Sequence, residues 1–347
     1  MKSPSMTRLD TADVRRILII RPNHRLGNNA LMTPLLAEIE RLFPQARFDI
    51  LTGGGASKDL YAGFPNLGTV HAFPAWSYIR PHKVIGLIWR VCREPYDLAI
   101  DPIPRSRSAR SLLSLVAARA KLGYRWGDRW RDLPLTHPID AGTAPLHYAQ
   151  APVHLLHAAV GGVGDPIPTL DLRLSTEERS LGHRLLTQAF GQGPHAPQPG
   201  TPTLRIGLYG VATGDKQYSP RWWLTFLDGL QRELATTPHA LIEFLPHDGR
   251  ATFAGHMPSL LSNHLRELGA ALGALDAFIT ADGGVMHLAS AAGTQTIGLF
   301  KVTDPVRYGP YGHGSAAIVA QDSAPEAAVR EVVARLRRTP TSGSTAP

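Results

Sequence analysis

Cysteine is nearly absent: Cys92 is the single one in 347 residues. That excludes an internal disulfide framework and a cysteine metal cage. Long apolar runs are missing too. Ile17–Ile20, Val84–Trp89 and Thr296–Phe300 fall far short of the ~18 residues a membrane-spanning helix needs. The N-terminus offers four Ile/Leu residues and then Arg21-Pro22, without the apolar stretch of a signal peptide. Charged residues are few, at 18%, against 43% hydrophobic, which provides for two cores and excludes a mainly disordered chain. The 15 histidines show no His-Glu-x-x-His spacing, and no Gly-x-Ser-x-Gly elbow occurs, so neither a metal site nor a serine nucleophile is expected. These absences predict a soluble, cytoplasmic α/β chain of two domains.

What is present is basic. The formal charge of +8 predicts polyanionic partners. Between Arg105 and Arg131 eight cations stand against Asp128 alone. That stretch reads either as a solvated helix and loop or as a docking surface for an anionic substrate or membrane. Tyr124–Trp126 and Arg129–Arg131 interleave rings with cations. Such a pattern can stack on bases or sugars, and a nucleic-acid partner is not expected.

Short apolar runs alternate with helical spacing throughout. Strands are expected at Arg16–Ile20, Arg47–Thr52, Thr69–Phe73 and Leu98–Asp101, with helices at Leu31–Leu42, Ser57–Ala62 and Ser108–Ala120. This is the pattern of a doubly wound parallel sheet, with Asp101 at a carboxyl strand end, where ligands of open α/β sheets bind. Gly191–Thr203 (GQGPHAPQPGTPT) breaks the pattern, and alternation restarts at Leu204. A helix is expected near Ala254–Leu261. The predicted organisation is therefore an N-terminal domain over 1–190, a linker over 191–203, a C-terminal domain over 204–338, and a disordered tail over 339–347. Two such halves would face one another across a cleft.

Two segments carry chemistry. In FITADGGVMHLASAAGTQTIGLF (278–300) a strand runs into Asp282-Gly283-Gly284 and then a small-residue helix. The free N–H groups of its first turn favour a pyrophosphate. Asp282 either caps this helix or orients a sugar, and His287 sits one turn in. In LYGVATGDKQYSPRWW (208–223) another strand enters a Gly/Thr loop containing Thr213, with Lys216 placed before a helix. There it can neutralise phosphate.

These segments, with ILIIRPNHRLGNNALMTPLLAEIERLFPQARFDILTGG, YDLAIDPIPRSRSARSL, LGYRW and TDPVRYGPYG, resemble the bacterial heptosyltransferases of glycosyltransferase family 9. The resemblance implies a GT-B fold of two Rossmann-like domains. It also implies metal-independent inverting transfer, without a cofactor, from a nucleotide-sugar such as ADP-heptose to a lipopolysaccharide-type glycolipid or other glycan. Donor contacts would fall on Thr213, Lys216, Asp282, Gly283, Gly284 and His287, and acceptor contacts on Arg105 and Arg107. Peripheral association with the inner membrane would accompany such an acceptor. In this family an aspartate usually follows the leucine-glycine of the first loop and serves as the base. Here Leu26-Gly27 is followed by Asn28, and a neutral amide cannot be a general base. Asp101 and His24 are the substitutes the sequence offers. The alternative is a non-catalytic nucleotide-sugar or glycan-binding protein. The signature's usual Ser/Thr after the aspartate is likewise replaced, by Gly283.

Overall fold

The computed structural model describes residues 8–74, 81–162, 164–191, 203–253, 255–322 and 324–336. The chain forms two compact units, Met1–Thr169 and Leu170–Pro347.

The first unit is built on a six-stranded sheet: β1 (Arg16–Arg21), β2 (Arg47–Thr52), β3 (Leu67–Ala72), β4 (Tyr96–Asp101), β5 (Ala118–Arg125) and β6 (His137–Asp140). The order is β3-β2-β1-β4-β5-β6, all pairings parallel. In β1 (RILIIR) every residue from Ile17 to Arg21 is buried, as a central parallel strand covered on both faces requires. The direction of winding reverses between β1 and β4, so the loops after these strands open side by side. Helices Pro81–Arg93 and Arg107–Leu115 share one core, in which Val91, Ala109 and Leu113 meet Leu18, Ile20 and Leu51.

Helix Thr33–Leu42 is tied to helix Ala151–Val160 by a 2.6 Å hydrogen bond between Glu38 and His157 Nε2. Burial pushes the Glu38 carboxyl up, but hydrogen bonds from Arg41 and His157 outweigh it and hold the group below its ordinary value. Glu38, His157 and Asp165 are close enough to hold a metal ion. The Arg41 guanidinium, which bonds both Glu38 and Asp165 (3.0 and 3.1 Å), already supplies the cation there.

The expected helix Ser108–Ala120 ends earlier. It stops at Leu115, Val116 is extended, and Ala118 opens β5. Ala120, Leu122 and Tyr124 are buried at alternate positions, a strand period that the intervening cations obscure.

The second unit repeats the plan: β7 (Leu204–Tyr209), β8 (His239–Phe244), β9 (Ser259–Leu260), β10 (Ala277–Ala281), β11 (Gln295–Phe300) and β12 (Ala316–Val319). The order is β12-β11-β10-β7-β8-β9, again parallel. Helix Pro220–Glu233 buries Trp222, Trp223 and Phe226 in the core beside Val329 and Val332 of helix Pro325–Leu336. Where a helix near Ala254–Leu261 is expected, the structure has the short strand β9, and Ala254 lies outside the described residues.

The division between units falls at Thr169/Leu170, not at the expected 191–203. Most of that linker, 192–202, and the expected tail lie outside the described residues. The physical reason for the difference is helix Thr176–Phe190, which packs on helix Leu265–Gly273 of the second unit. A Cβ on Gly182 would lie 2.0 Å from the Ala270 carbonyl oxygen. Arg266 donates to Glu178 at 2.6 Å and to the carbonyls of Leu172 and Arg173 at 3.3 and 3.2 Å. Composition marks where the pattern breaks; it does not say which core a helix joins.

Gly182→Ala should therefore prise these two helices apart and destabilise the second unit by about 1–3 kcal/mol, the usual cost of overpacking. Urea unfolding measures it, and an unchanged midpoint would mean that the helix is not docked this way.

Candidate functional site

The second unit's site forms at the carboxyl ends of β7, β10 and β11. After β7, Gln217 folds the loop onto itself. Its Oε1 accepts from the Ala212 N–H at 2.6 Å, while its Nε2 donates to the carbonyls of Gly210 and Tyr218, both at 2.9 Å. This presents Thr213, exposed, and Lys216, half-buried, on a short turn, Gly214–Lys216. Tyr218 anchors the end of the loop by donating to the Ala320 carbonyl at 2.8 Å and stacking on Trp222 at 4.2 Å. The two tryptophans of the SPRWW motif are core, 4% and 0% exposed.

After β10, Asp282 is 5% exposed. It does not cap the helix that follows: Gly283 occupies the N-cap of Gly284–Ala291 and brings no side chain to its first turn. Asp282 instead turns to its neighbours. Lys216 Nζ donates to its Oδ2 at 2.7 Å, and the Thr303 hydroxyl, from the loop after β11, donates to the same oxygen. Three strand ends thus meet at one carboxylate. Beside it lies a helix N-terminus with uncapped N–H groups, a site suited to a phosphate. A Cβ at Gly283 would meet nothing closer than the Ala281 carbonyl at 3.8 Å, so the missing hydroxyl there does not reflect crowding. His287 is 4% exposed, buried one turn into the helix. Lys301 lies close by. It donates to the Gln217 carbonyl at 2.8 Å, pairs with Asp322 at 3.0 Å and stands 5.1 Å over the Tyr218 ring.

In the first unit, the loop after β1 carries Asn23, His24 and Arg25. Gly53 is required beneath it, since a Cβ there would lie 2.6 Å from the Asn23 carbonyl carbon. Asn29 fastens the loop, its amide donating to the Asn23 carbonyl and to Ser57 Oγ, both at 3.0 Å. Asn28 Nδ2 donates to Asn23 Oδ1 at 3.2 Å, and that same oxygen accepts from the Arg25 N–H at 2.9 Å. His24 is exposed. Asp101 is not available as the sequence suggests: it is 0% exposed and receives Arg110 Nε at 3.0 Å. Burial pushes its carboxyl up, to about 7, against the pull of Arg110. A carboxylate sealed in this way does not reach an acceptor hydroxyl. Arg105, at a left-handed φ of 61°, and Arg107 are both exposed at the start of helix Arg107–Leu115.

The basic stretch is partly consumed by the fold. Arg110 also donates to the carbonyls of Tyr124 and Arg131 at 2.7 and 3.0 Å, and stands 4.8 Å over the Trp126 ring. Tyr124 is 0% exposed, so it is no stacking platform. The structure brings Lys216 and Asp282 together, and it puts His24 on the loop after β1 and Asn28 in the short helix Leu26–Ala30 that follows. Reasoning from sequence missed Thr303, Gln217 and the Arg110 partner of Asp101. Thr303 lies in the TDPVRYGPYG segment, which was legible as a motif though not as a contact.

Residues 259–335 match the profile of glycosyltransferase family 9 (heptosyltransferase), bearing out the resemblance read from the sequence. No curated protein matches the chain in sequence. Among solved structures it is similar to a family 9 glycosyl transferase from Veillonella parvula at 19% identity and a TM-score of 0.68, covering 96% of this chain and 92% of that one. E. coli heptosyltransferase WaaC with ADP matches at 17% identity and a TM-score of 0.69, over 92% of this chain and 99% of that one. E. coli ADP-heptose lipopolysaccharide heptosyltransferase II matches at 17% identity and 0.64, over 93% and 99%. The fold is GT-B, two Rossmann-like doubly wound units.

Arg110→Ala should cost about 3–5 kcal/mol of stability, because it strands a buried carboxyl and two carbonyls. The double variant Asp101→Leu/Arg110→Met should cost less than that single change. Equal losses in chemical denaturation would deny the ion pair its structural role.

Proposed function

We propose that this chain is an inverting, metal-independent glycosyltransferase. It moves a sugar, heptose in the first instance, from a nucleotide-diphosphate donor such as ADP-heptose to an anionic lipopolysaccharide-type glycolipid or glycan. The observation that carries the reading is Lys216 on Asp282 at 2.7 Å, beside an uncapped helix N-terminus; Asp282 and that helix fall within residues 259–335, which match the family profile. As the donor's glycosidic bond breaks, charge builds on the leaving diphosphate. Lys216 and the N–H groups at Gly284 are placed to stabilise it. We assign Thr213 and the Gly283-Gly284 backbone to the same donor, and Arg105 and Arg107, both exposed, to the acceptor. We place the work in the cytoplasm, at the inner face of the membrane, without nucleic acid and without a cofactor.

The proton of the acceptor hydroxyl needs a home. With Asp101 sealed by Arg110 and an amide at 28, His24 is the exposed titratable side chain of the first loop, and Asn28 orients the hydroxyl. The same two facts favour a second reading, a nucleotide-sugar binder that does not turn over.

A thermal-shift panel of nucleoside diphosphates and nucleotide-sugars separates the readings, because a ligand of the native state raises its melting temperature. One base should shift selectively, and Lys216→Ala should weaken that ligand about 10–100-fold, the worth of a charge-assisted hydrogen bond. Absence of any shift refutes a donor site here.

Turnover then decides between enzyme and binder. His24→Ala should lower transfer by about 10²–10⁴-fold with donor affinity unchanged, and Asp101→Asn should not lower it per folded molecule. Tight donor binding with neither transfer nor hydrolysis identifies the binder. In that case Asn28→Asp is the variant expected to restore a base.

A further inference from the structure

The segment after β11 takes hold of both partners of the Lys216–Asp282 ion pair. Thr303 grips the acid, donating its hydroxyl to the Asp282 carboxylate. Two residues earlier, Lys301 reaches the cation's side of the pair through the backbone. Its Nζ donates at 2.8 Å to the carbonyl of Gln217, the residue next to Lys216. Lys301 is only 16% exposed at its side chain, and Asp322, its ion-pair partner at 3.0 Å, is 65% exposed. An ion pair with so exposed a partner adds little, whereas the bond from an ammonium to a carbonyl is charge-assisted and stronger than a neutral one.

Gln217 is where the place of Lys216 is decided. Its N–H donates to the Gly214 carbonyl at 3.0 Å and closes the turn Gly214–Lys216. Its side-chain amide is spent on Ala212, Gly210 and Tyr218. All these bonds are internal to the loop, so they fix its shape and not its position. Outward, the loop is tied by the Tyr218 hydroxyl to the Ala320 carbonyl and by Lys301 to Gln217 itself. The second tie acts one residue from Lys216. A lysine carries its charge on a flexible four-carbon stem, so where its ammonium sits depends on how firmly its backbone is held.

We infer that Lys301 is a positioning residue of the donor site. By holding the Gln217 carbonyl from the same segment that carries Thr303, it sets Lys216 against Asp282 and the N–H groups at Gly284. It acts through Lys216 and makes no contact with phosphate, its donors being committed to Gln217 and Asp322. The inference rests on the donor reading proposed above and assigns to this chain a second lysine with a different duty from the first.

The test is a double-mutant cycle read by calorimetry with ADP and with inorganic pyrophosphate. Lys301→Met keeps the stem beside Tyr218 and removes the charged donor. It should weaken ADP about 3–30-fold, the coupling expected within one hydrogen-bond network, and leave circular dichroism unchanged. In the Lys216→Ala background the same change should cost nothing further, to within about twofold. Lys301→Gln takes the place of Lys301→Met if the latter does not fold. A second measurement needs no ligand: reductive methylation of Lys216, followed by mass spectrometry. Lys301→Met should speed it about threefold or more, because Lys216 is no longer kept on Asp282. Losses of ADP affinity that multiply in the double variant would overturn the inference and make Lys301 a phosphate contact. An unchanged methylation rate at Lys216 would also overturn it. Should the wild type bind neither ADP nor pyrophosphate, the donor reading falls, and the methylation rate alone decides whether Lys301 places Lys216.

Discussion

A carboxylate with 5% of its surface exposed has to be neutralised, and most of the second unit's site is the means of doing so for Asp282. Its two partners come from different strand ends, Lys216 after β7 and Thr303 after β11. Neither loop could sit elsewhere without leaving a buried charge unpaired, which costs several kcal/mol. Gln217 then keeps the lysine's loop in shape by closing hydrogen bonds on three backbone groups. The ion pair also sets the terms for a ligand. Under the proposed function a diphosphate at the helix N-terminus would compete with Asp282 for Lys216, and the ion pair holds the cation beside that N-terminus.

The first unit treats its buried carboxylate differently. Asp101 ends β4 at the switch point, where an open α/β sheet offers side chains to a ligand, yet Arg110 closes it from the next helix and then spends its remaining donors on the carbonyls of Tyr124 and Arg131. The position is that of a catalytic group; the environment is that of a strut. The unit is left with amides and an exposed imidazole on the loop after β1, and with cations whose role is decided one by one according to burial.

Much of this was legible before the structure. β1 and β11 are runs too short and too apolar to be other than buried parallel strands, and the loops that follow β7 and β10 declare themselves by glycine, lysine and aspartate. Three things were hidden, each for a physical reason. Strand β5 alternates buried and exposed residues, but Arg119 and Lys121 made it look like a continuing polar helix face. Helix Thr176–Phe190 precedes a Pro/Gly-rich stretch and so reads as the end of the first domain, although Gly182 fits only against Ala270 of the second. The sealing of Asp101 depends on which way one arginine turns, and no spacing rule reads that.

The loop after β1 holds its shape through groups other than residue 28. Gly53 admits the Asn23 backbone so closely that no other side chain fits beneath it, and Asn29, Ser57 and Thr52 lock the turn from within. The side chain at 28 makes one bond, to Asn23. The resemblance to family 9 implies that the base belongs at residue 28, a position that the fold of this loop does not depend on. A substitution there would change the implied chemistry and leave the silhouette of the scaffold as it is.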